Sequence, residues 1–437
     1  MEKFKILLVT DEVWNDQVHG NNVLSNWFDG FNAEFANIYC CPGIPNNSCC
    51  KRYFQLTDMM MLKSIFLNVK AGNMFELHGS KSMLDNSLYD YPEPERKKLY
   101  ERLKSIASES LRAIRDWIWL TGKYDEKKLN EFISDFDPDI VFCPRFATRK
   151  MLRLERTIAK LSGKPMVAFT GDDEYSLQQL NFSPIYWVRK FLLRRDIRNT
   201  LPIYRRYYTL SSEQKVEFQK EFPNLTVELL RKCADFNSIE ISTDLHKPIK
   251  IIYAGRLYCN RWKTLMAIAK ALCKINSNGP KMVMEIYTYD KLNNTQKNVL
   301  NDQKNSFLMK PVTADKLKEI YKSADIALHV ESLDMKNRLL TRLSFSTKII
   351  DCLASGCAVI AVCWDKHSGY TYLKQENAAI CISKYEDIIH KLQEICERQE
   401  IIVQYKKNAQ KCGKKNHQRE LVQKKLLNDF MQIAKMG

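Results

Sequence analysis

None of the 14 cysteines in this 437-residue sequence stands in a Cys-x-x-Cys pair. That spacing carries most structural zinc sites and thioredoxin-like redox motifs, so both are set aside. The Gly-x-Gly-x-x-Gly fingerprint is also absent, which weakens a dinucleotide-cofactor reading. There is no zinc-finger spacing, RNP-like motif, helix-turn-helix signal, internal repeat or low-complexity tract. The longest weakly polar run, residues 349–364, is short for a membrane span and contains Asp351. The first residues offer no secretory apolar core: residues 1–5 are polar and 6–9 read as a strand. The expectation is a cytoplasmic protein with free thiols.

The length exceeds one ordinary core, so two domains are expected, and 45% hydrophobic residues suffice to pack them. A formal net charge of +17 favours an acidic partner: nucleotide phosphates, anionic lipid or nucleic acid. Most cysteines, among them Cys143, Cys352, Cys363 and Cys381, sit in apolar runs as small hydrophobes. Cys40, Cys41, Cys49 and Cys50 form two adjacent pairs without an accompanying histidine; free thiols are the simpler reading and a metal site the alternative.

In the first half, residues 5–10 (KILLVT) read as a buried strand, followed by a polar loop containing His19 and Gly20 and a helix over 23–31. Gly20 would let backbone approach a ligand; His19 is either an acceptor-orienting group or a solvated loop histidine. Strands at 34–41, 140–143, 165–170 and 206–210 alternate with helices at 46–70, 95–123, 127–136, 148–161 and 211–222, a parallel-sheet pattern. After the strand at 165–170 comes Gly171-Asp172-Asp173-Glu174-Tyr175. Open α/β sheets bind ligands at such strand ends, so Asp172 or Asp173 is a candidate acceptor-hydroxyl holder or base; the alternative is a turn with capping acids. Residues 182–208 interleave seven Arg and Lys with Tyr, Trp, Phe and Leu, which suits the surface of an anionic membrane; a nucleic-acid backbone and a plain solvated basic helix are the alternatives. Residues 233–248 lack periodicity and read as a linker, giving a first domain at 1–240.

The second half opens with a strand at 249–254, Gly255-Arg256-Leu257, and a helix over 262–275 with Lys263 just inside it. Arg256 as a fork and Lys263 as a point charge would clamp a diphosphate. Further strands are expected at 282–288, 307–310, 325–330 and 378–382, with a long polar loop from Glu331. The organising stretch is RLSFSTKIIDCLASGCAVIAVC at 342–363. Ser346 or Thr347 is placed to cap a helix, Gly356 ends it, and residues 358–363 form a strand. The helix start is an anion site to which Lys348 adds charge, and Asp351 lies one turn below on the same face, within reach of a ribose.

GRL at 255–257, Lys263 seven residues after Arg256, and FSTKIIDCLASGCAVIA at 345–361 resemble the nucleotide-sugar-binding half of GT-B-fold glycosyltransferases, in particular the large retaining family four. The resemblance covers most of 249–365. It implies an α/β protein of two Rossmann-like doubly wound domains facing each other across a cleft: 1–240 on the acceptor side, 241–415 binding the donor, and a C-terminal helix at 416–437 crossing back. It implies transfer of a sugar from a nucleoside-diphosphate sugar (UDP- or GDP-linked) to a hydroxyl of a glycan or lipid-linked acceptor in cell-surface polysaccharide synthesis, with retention and without metal or bound cofactor. Donor contacts would come from Gly20, Arg256, Lys263, Ser346, Thr347, Lys348 and Asp351, and catalytic-side carboxylates from Asp172, Asp173 and Asp334. The family's paired glutamates, eight positions apart, become Leu343 and Asp351 here; Asp334 or Glu331 would supply the missing carboxylate. The protein would sit at the inner membrane face, touching anionic lipid through 182–208 and no nucleic acid. The rivals are a nucleotide-sugar epimerase, a catalytically inactive GT-B scaffold, and a basic nucleic-acid-binding protein.

Overall fold

The computed structural model describes residues 3–16, 23–77 and 109–436. The chain divides into two compact units, one formed by Met1–Leu177, Asn181–Leu230 and the residues from Gln423 onward, the other by Arg231–Val422 with Gln178–Leu180.

The first unit is built on an eight-stranded sheet in the order β4-β3-β2-β1-β5-β6-β7-β8. The central strands are β1 (Phe4–Thr10), β5 (Ile140–Pro144) and β6 (Met166–Thr170), all paired in parallel. Their near-continuous apolar character follows from helices covering both faces. Beyond them lie β2 (Ala33–Tyr39), β3 (Arg52–Gln55) and, antiparallel at the edge, β4 (Asn73–Glu76). The other flank is β7 (Tyr204–Thr209) and β8 (Val227–Leu229). The chain's last helix, Arg419–Ala434, delivers its C-terminal part to this unit, the crossing back that the fold class implied. There Asp429 meets Arg206 at 2.7 Å and Phe430 packs 5.3 Å from the ring of Phe142.

The second unit holds a six-stranded, all-parallel sheet in the order β11-β10-β9-β12-β13-β14. Its strands are β9 (Ile249–Ala254), β10 (Met282–Tyr287), β11 (Ser306–Met309), β12 (Ile326–Val330), β13 (Ala358–Val362) and β14 (Ile380–Ile382). Counted from β9, this is the doubly wound order 3-2-1-4-5-6, and the chain reverses direction across the sheet between β9 and β12.

Several sequence expectations need correction. Residues 46–70 hold β3 and then a helix only at Asp58–Phe66, capped by Thr57, because Arg52–Gln55 pairs with β2 instead of coiling. The loop expected after Glu331 contains the helix Met335–Thr341, which Asp334 caps. The strand β8 and the helix Ser368–Gln375 were not foreseen. Of the helix expected at 95–123, residues 109–121 are helical and the rest lies outside the described residues. Among the described residues, no helix is long and apolar enough to cross a membrane.

Candidate functional site

In an open α/β sheet, ligands bind outside the carboxyl ends of the strands where the strand order reverses. In the second unit that place lies just past Ala254 and Val330. The groups gathered there are Tyr253 at the end of β9 with Gly255 and Arg256 just after it, His329 and Glu331 at the end of β12, Arg261 and Lys263 in the first turn of the helix Arg261–Ile275, and Lys348 from the helix Lys348–Leu353.

The framework of this cluster is a buried ion pair. Arg261 donates from Nε to one Glu331 oxygen at 2.9 Å and from a terminal nitrogen to the other at 2.6 Å, with the side chains only 7% and 3% exposed. Burial raises the Glu331 carboxyl, but opposing influences led by the Arg261 guanidinium hold the acid below its usual range. Glu331 is further fixed because its N–H donates to Val362 O at 3.0 Å and its carbonyl accepts from Thr264 Oγ1 at 2.8 Å.

Lys348 reaches into the same region. Its Nζ is closed off from solvent, has no hydrogen-bond partner, and lies 5.6 Å from the centre of the Tyr253 ring. The backbone of Gly255 passes so close that a β-carbon there would stand 1.8 Å from this nitrogen. That contact is the physical reason for glycine in the GRL motif. Burial, then the charge of Arg261, push the Lys348 amine down to about 8, against the pull of Glu331 and Asp351. Two buried histidines complete the cluster, with ring centres 6.5 Å apart. His367 accepts at Nδ1 from Gly369 N–H at 3.1 Å, so its neutral ring carries the proton on Nε2, an atom left without a partner. His329 also has an unpartnered Nε2, and burial pushes this imidazole down to about 3. Unpaired buried polar atoms are costly, and three of them in one strand-end cluster make this the candidate place for a polar ligand.

The sequence-derived donor residues lie around this core. Arg256 is exposed and its Nε donates to Asp290 at 2.7 Å; the other Asp290 oxygen accepts from Leu257 N–H. Lys263 is half-buried, its ammonium 5.9 Å from the Trp262 ring. Asp351 forms an ion pair with Lys232 at 2.6 Å. The expectation of a side-chain cap at Ser346 or Thr347 is corrected: Thr347 has helical backbone angles and makes no capping bond, and the chain turns in through Ile349 N–H to Ser346 O at 3.0 Å and Ile350 N–H to Thr347 O at 3.2 Å. The helix is only six residues long, so the Lys348 side chain, not a long helix dipole, supplies the charge. Gly356 has φ of +79°, the left-handed turn expected after the helix. Gly20 and His19 lie outside the described residues.

Asp334 is saturated. It caps the helix Met335–Thr341 by accepting from Asn337 N–H at 3.1 Å, and it also accepts from Asn337 Nδ2 at 2.8 Å, Asn260 Nδ2 at 3.2 Å and Ser332 Oγ. Burial raises its carboxyl, and these bonds bring it down to about 2. Leu343, at the position of the family's first glutamate, is buried.

In the first unit the equivalent reversal lies between β1 and β5. Lys150 pairs with Asp11 and donates to Cys40 O at 3.1 Å. Arg145, fully buried, holds Glu155 at 2.8 Å and also donates to the hydroxyls of Tyr204 and Tyr207, both at 3.1 Å. In the loop after β6, Asp173 accepts from Ser176 N–H at 2.9 Å and so closes a turn, while Asp172 is exposed. Glu174, which the sequence reading passed over, turns inward to accept from Ala147 N–H at 2.5 Å and from Thr170 Oγ1. Burial raises its carboxyl to about 7 despite Arg145 nearby.

The basic stretch is less free than expected. Arg189 pairs with Glu109 and Asp116, Arg198 with Glu221 and Arg206 with Asp429. What the helix Pro184–Thr200 does expose is an apolar stripe at Ile185, Val188 and Phe191, with Phe182 just before it. Among the described residues, no group of three or more His, Cys, Asp or Glu side chains is placed to hold a metal.

No protein-family model matches the chain, and no curated protein matches its sequence. Solved structures do match. Sucrose-phosphate synthase from Thermosynechococcus elongatus is 11% identical, with 100% of each chain covered and a TM-score of 0.63. HepE from Anabaena, in complex with UDP, is 11% identical over 98% of this chain and 100% of its own, with a TM-score of 0.61. An E. coli trehalose-6-phosphate structure bound with UDP-2-fluoro glucose is 10% identical over 98% and 99%, with a TM-score of 0.58. The likeness spans both units, and the fold is GT-B.

Proposed function

We propose that this protein is a glycosyltransferase that moves a sugar from a nucleoside-diphosphate sugar to a hydroxyl of a glycan or lipid-linked acceptor, in cell-surface polysaccharide synthesis and with retention at the anomeric carbon. The observation that carries the reading is the cluster at the strand-order reversal of the second unit: a buried, unpartnered Lys348 amine against Gly255, beside the Arg261–Glu331 pair and two buried histidines with unpartnered nitrogens. Structures of the same fold, HepE among them, were solved with UDP, which supports a UDP-linked donor over a GDP-linked one.

In this reading the leaving diphosphate gathers negative charge as the sugar departs, and Lys348, Arg256 and Lys263 stabilise it without a metal. Backbone at Ser346 and Thr347 adds contacts, and Asp351, oriented by Lys232, meets the donor ribose. Glu331 holds Arg261 rather than the sugar, and Asp334 caps a helix, so neither is free to replace the carboxylate missing at Leu343. On the first unit, Glu174 joins Asp172 and Asp173 as the candidate acceptor-side acid. The exposed apolar stripe on Pro184–Thr200 supports a peripheral seat on an anionic membrane at its cytoplasmic face.

Arg256→Ala and Lys263→Ala should each lower turnover by about 30- to 1,000-fold, the equivalent of ~2–4 kcal/mol of transition-state stabilisation. Unchanged turnover in both variants overturns the donor assignment. The buried Leu343 also favours a second reading, an inactive scaffold. Nucleotide binding with no sugar transfer or donor hydrolysis, across a panel of donors and acceptors, is the result that reading requires.

A further inference from the structure

The Lys348 amine poses a charge problem that the donor reading leaves open. The groups that act on it come from several elements: Tyr253 from β9, Arg261 from the helix after it, Glu331 and His329 from β12, and Asp351 and Cys352 from its own helix, with His367 beside His329. Two of these are negative, but both are committed elsewhere: Glu331 is held by Arg261 through two hydrogen bonds, and Asp351 by Lys232. The nitrogen itself is sealed from water and bonded to nothing. An ammonium in that position lacks both solvation and a counter-ion, so the empty site shifts the amine toward its neutral form.

Resting on the donor reading above, we propose that Lys348 is a proton-coupled anion latch: phosphate entering the site supplies the missing counter-charge, and the amine takes up a proton as it binds. The balance is simple. In the empty site part of the population is R–NH2; the nucleotide diphosphate arrives as its anion; one proton moves from the buffer to nitrogen; and the product is an R–NH3+···phosphate ion pair. Neither histidine contributes protons, because burial holds both rings neutral. Burial pushes the Cys352 thiol up to about 12 and the Tyr253 hydroxyl upward, so neither exchanges protons near neutral pH.

With the amine near 8 in the empty site, linkage gives about half a proton taken up per nucleotide at pH 8, and UDP affinity about threefold weaker at pH 8.5 than at pH 7.5. The phosphate's own second ionisation, near pH 6, is finished across that window. The experiment is calorimetric titration of UDP into the full-length protein at pH 7.5, 8.0 and 8.5, repeated at pH 8.0 in two buffers of different ionisation enthalpy, on wild type and Lys348→Arg. Buffer-dependent heat and weakening binding in wild type, with both lost in Lys348→Arg, whose guanidinium stays charged, is the expected result. Tight UDP binding with buffer-independent heat and a flat pH profile in wild type overturns the latch and leaves the donor site standing. This comparison needs no variant, so a Lys348→Arg protein that fails to fold does not spoil the test. No binding of UDP or GDP at any pH overturns the donor reading and the latch together.

Discussion

Replacing Glu331 by Gln should destabilise the second unit by roughly 3–5 kcal/mol, the cost of leaving one partner of a buried ion pair without the other. The structure sets this magnitude at the upper end for a single substitution. Both side chains are nearly sealed, two hydrogen bonds at 2.9 and 2.6 Å join them, and the Arg261 guanidinium cannot shed its proton to escape. The amide that replaces the carboxylate keeps the shape and one acceptor but removes the charge. For a unit the length of Arg231–Val422, about 2–4 °C accompanies each kcal/mol, so its melting transition should fall by roughly 6–20 °C at pH 7. The pH dependence supplies a second signature. A carboxyl held below its usual range stabilises the fold above the unfolded value of about 4.3 and loses that contribution as pH falls through its depressed folded value. Wild type and Glu331→Gln should therefore begin to converge as pH falls below about 4.3 and meet only below the depressed folded value. The double variant Arg261→Met with Glu331→Leu removes both charges and should recover most of the lost stability while still failing to bind nucleotide. Scanning calorimetry on the three proteins reads all of this; a shift of under about 2 °C for Glu331→Gln at pH 7 refutes the pair as the framework of the site.

Gly255→Ala should weaken nucleotide binding at least tenfold and also lower the melting temperature, because the new methyl displaces the buried end of Lys348 and the backbone there, at φ of +159°, is one that residues with side chains rarely adopt; equilibrium titration beside a melting curve reads both. Glu174→Gln should stabilise the first unit at pH 8 and leave it unchanged near pH 4: a carboxyl raised to about 7 costs stability progressively as pH climbs from its unfolded value to 7, and the amide removes that cost. Denaturant midpoints measured across pH 4–8 check the sign. Val188→Asp with Phe191→Asp should abolish co-flotation with vesicles rich in phosphatidylserine while sparing nucleotide binding; flotation equal to wild type would refute a role for the exposed stripe.

How much of this was legible in the sequence depends on distance along the chain. The buried strands β1, β6, β9, β12 and β13 announce themselves as short apolar runs between turn residues, and their alternation with helices identifies two doubly wound halves. Gly255, Arg256 and Lys348 are visible because they stand in short local motifs. The short strands β3 and β8 escaped because a run of three or four residues carries too little periodicity, and the helix Met335–Thr341 because its polar sequence is held by the Asp334 cap and not by an apolar face. The Arg261–Glu331 pair could not be read at all, since its partners lie 70 residues apart and meet only when β9 and β12 become neighbours. His367 was invisible for the same reason, and its role shows only in the Gly369 N–H that fixes its tautomer. In the first unit, Asp172 and Asp173 drew attention for their charge, whereas the carboxylate that folds inward is the next one, Glu174.

The central claim is that the second unit binds a nucleoside diphosphate at the carboxyl ends of β9 and β12. A thermal-shift series with UDP, GDP, ADP and CMP on wild type, Arg256→Ala and Lys348→Met tests it most directly. A ligand that binds only the folded state adds about 2.7 kcal/mol at a hundred times its dissociation constant, well within the sensitivity of the assay. The account predicts stabilisation by UDP ahead of the other three, reduced in Arg256→Ala and lost in Lys348→Met. No shift with any of the four nucleotides, or an equal shift in all three proteins, contradicts it.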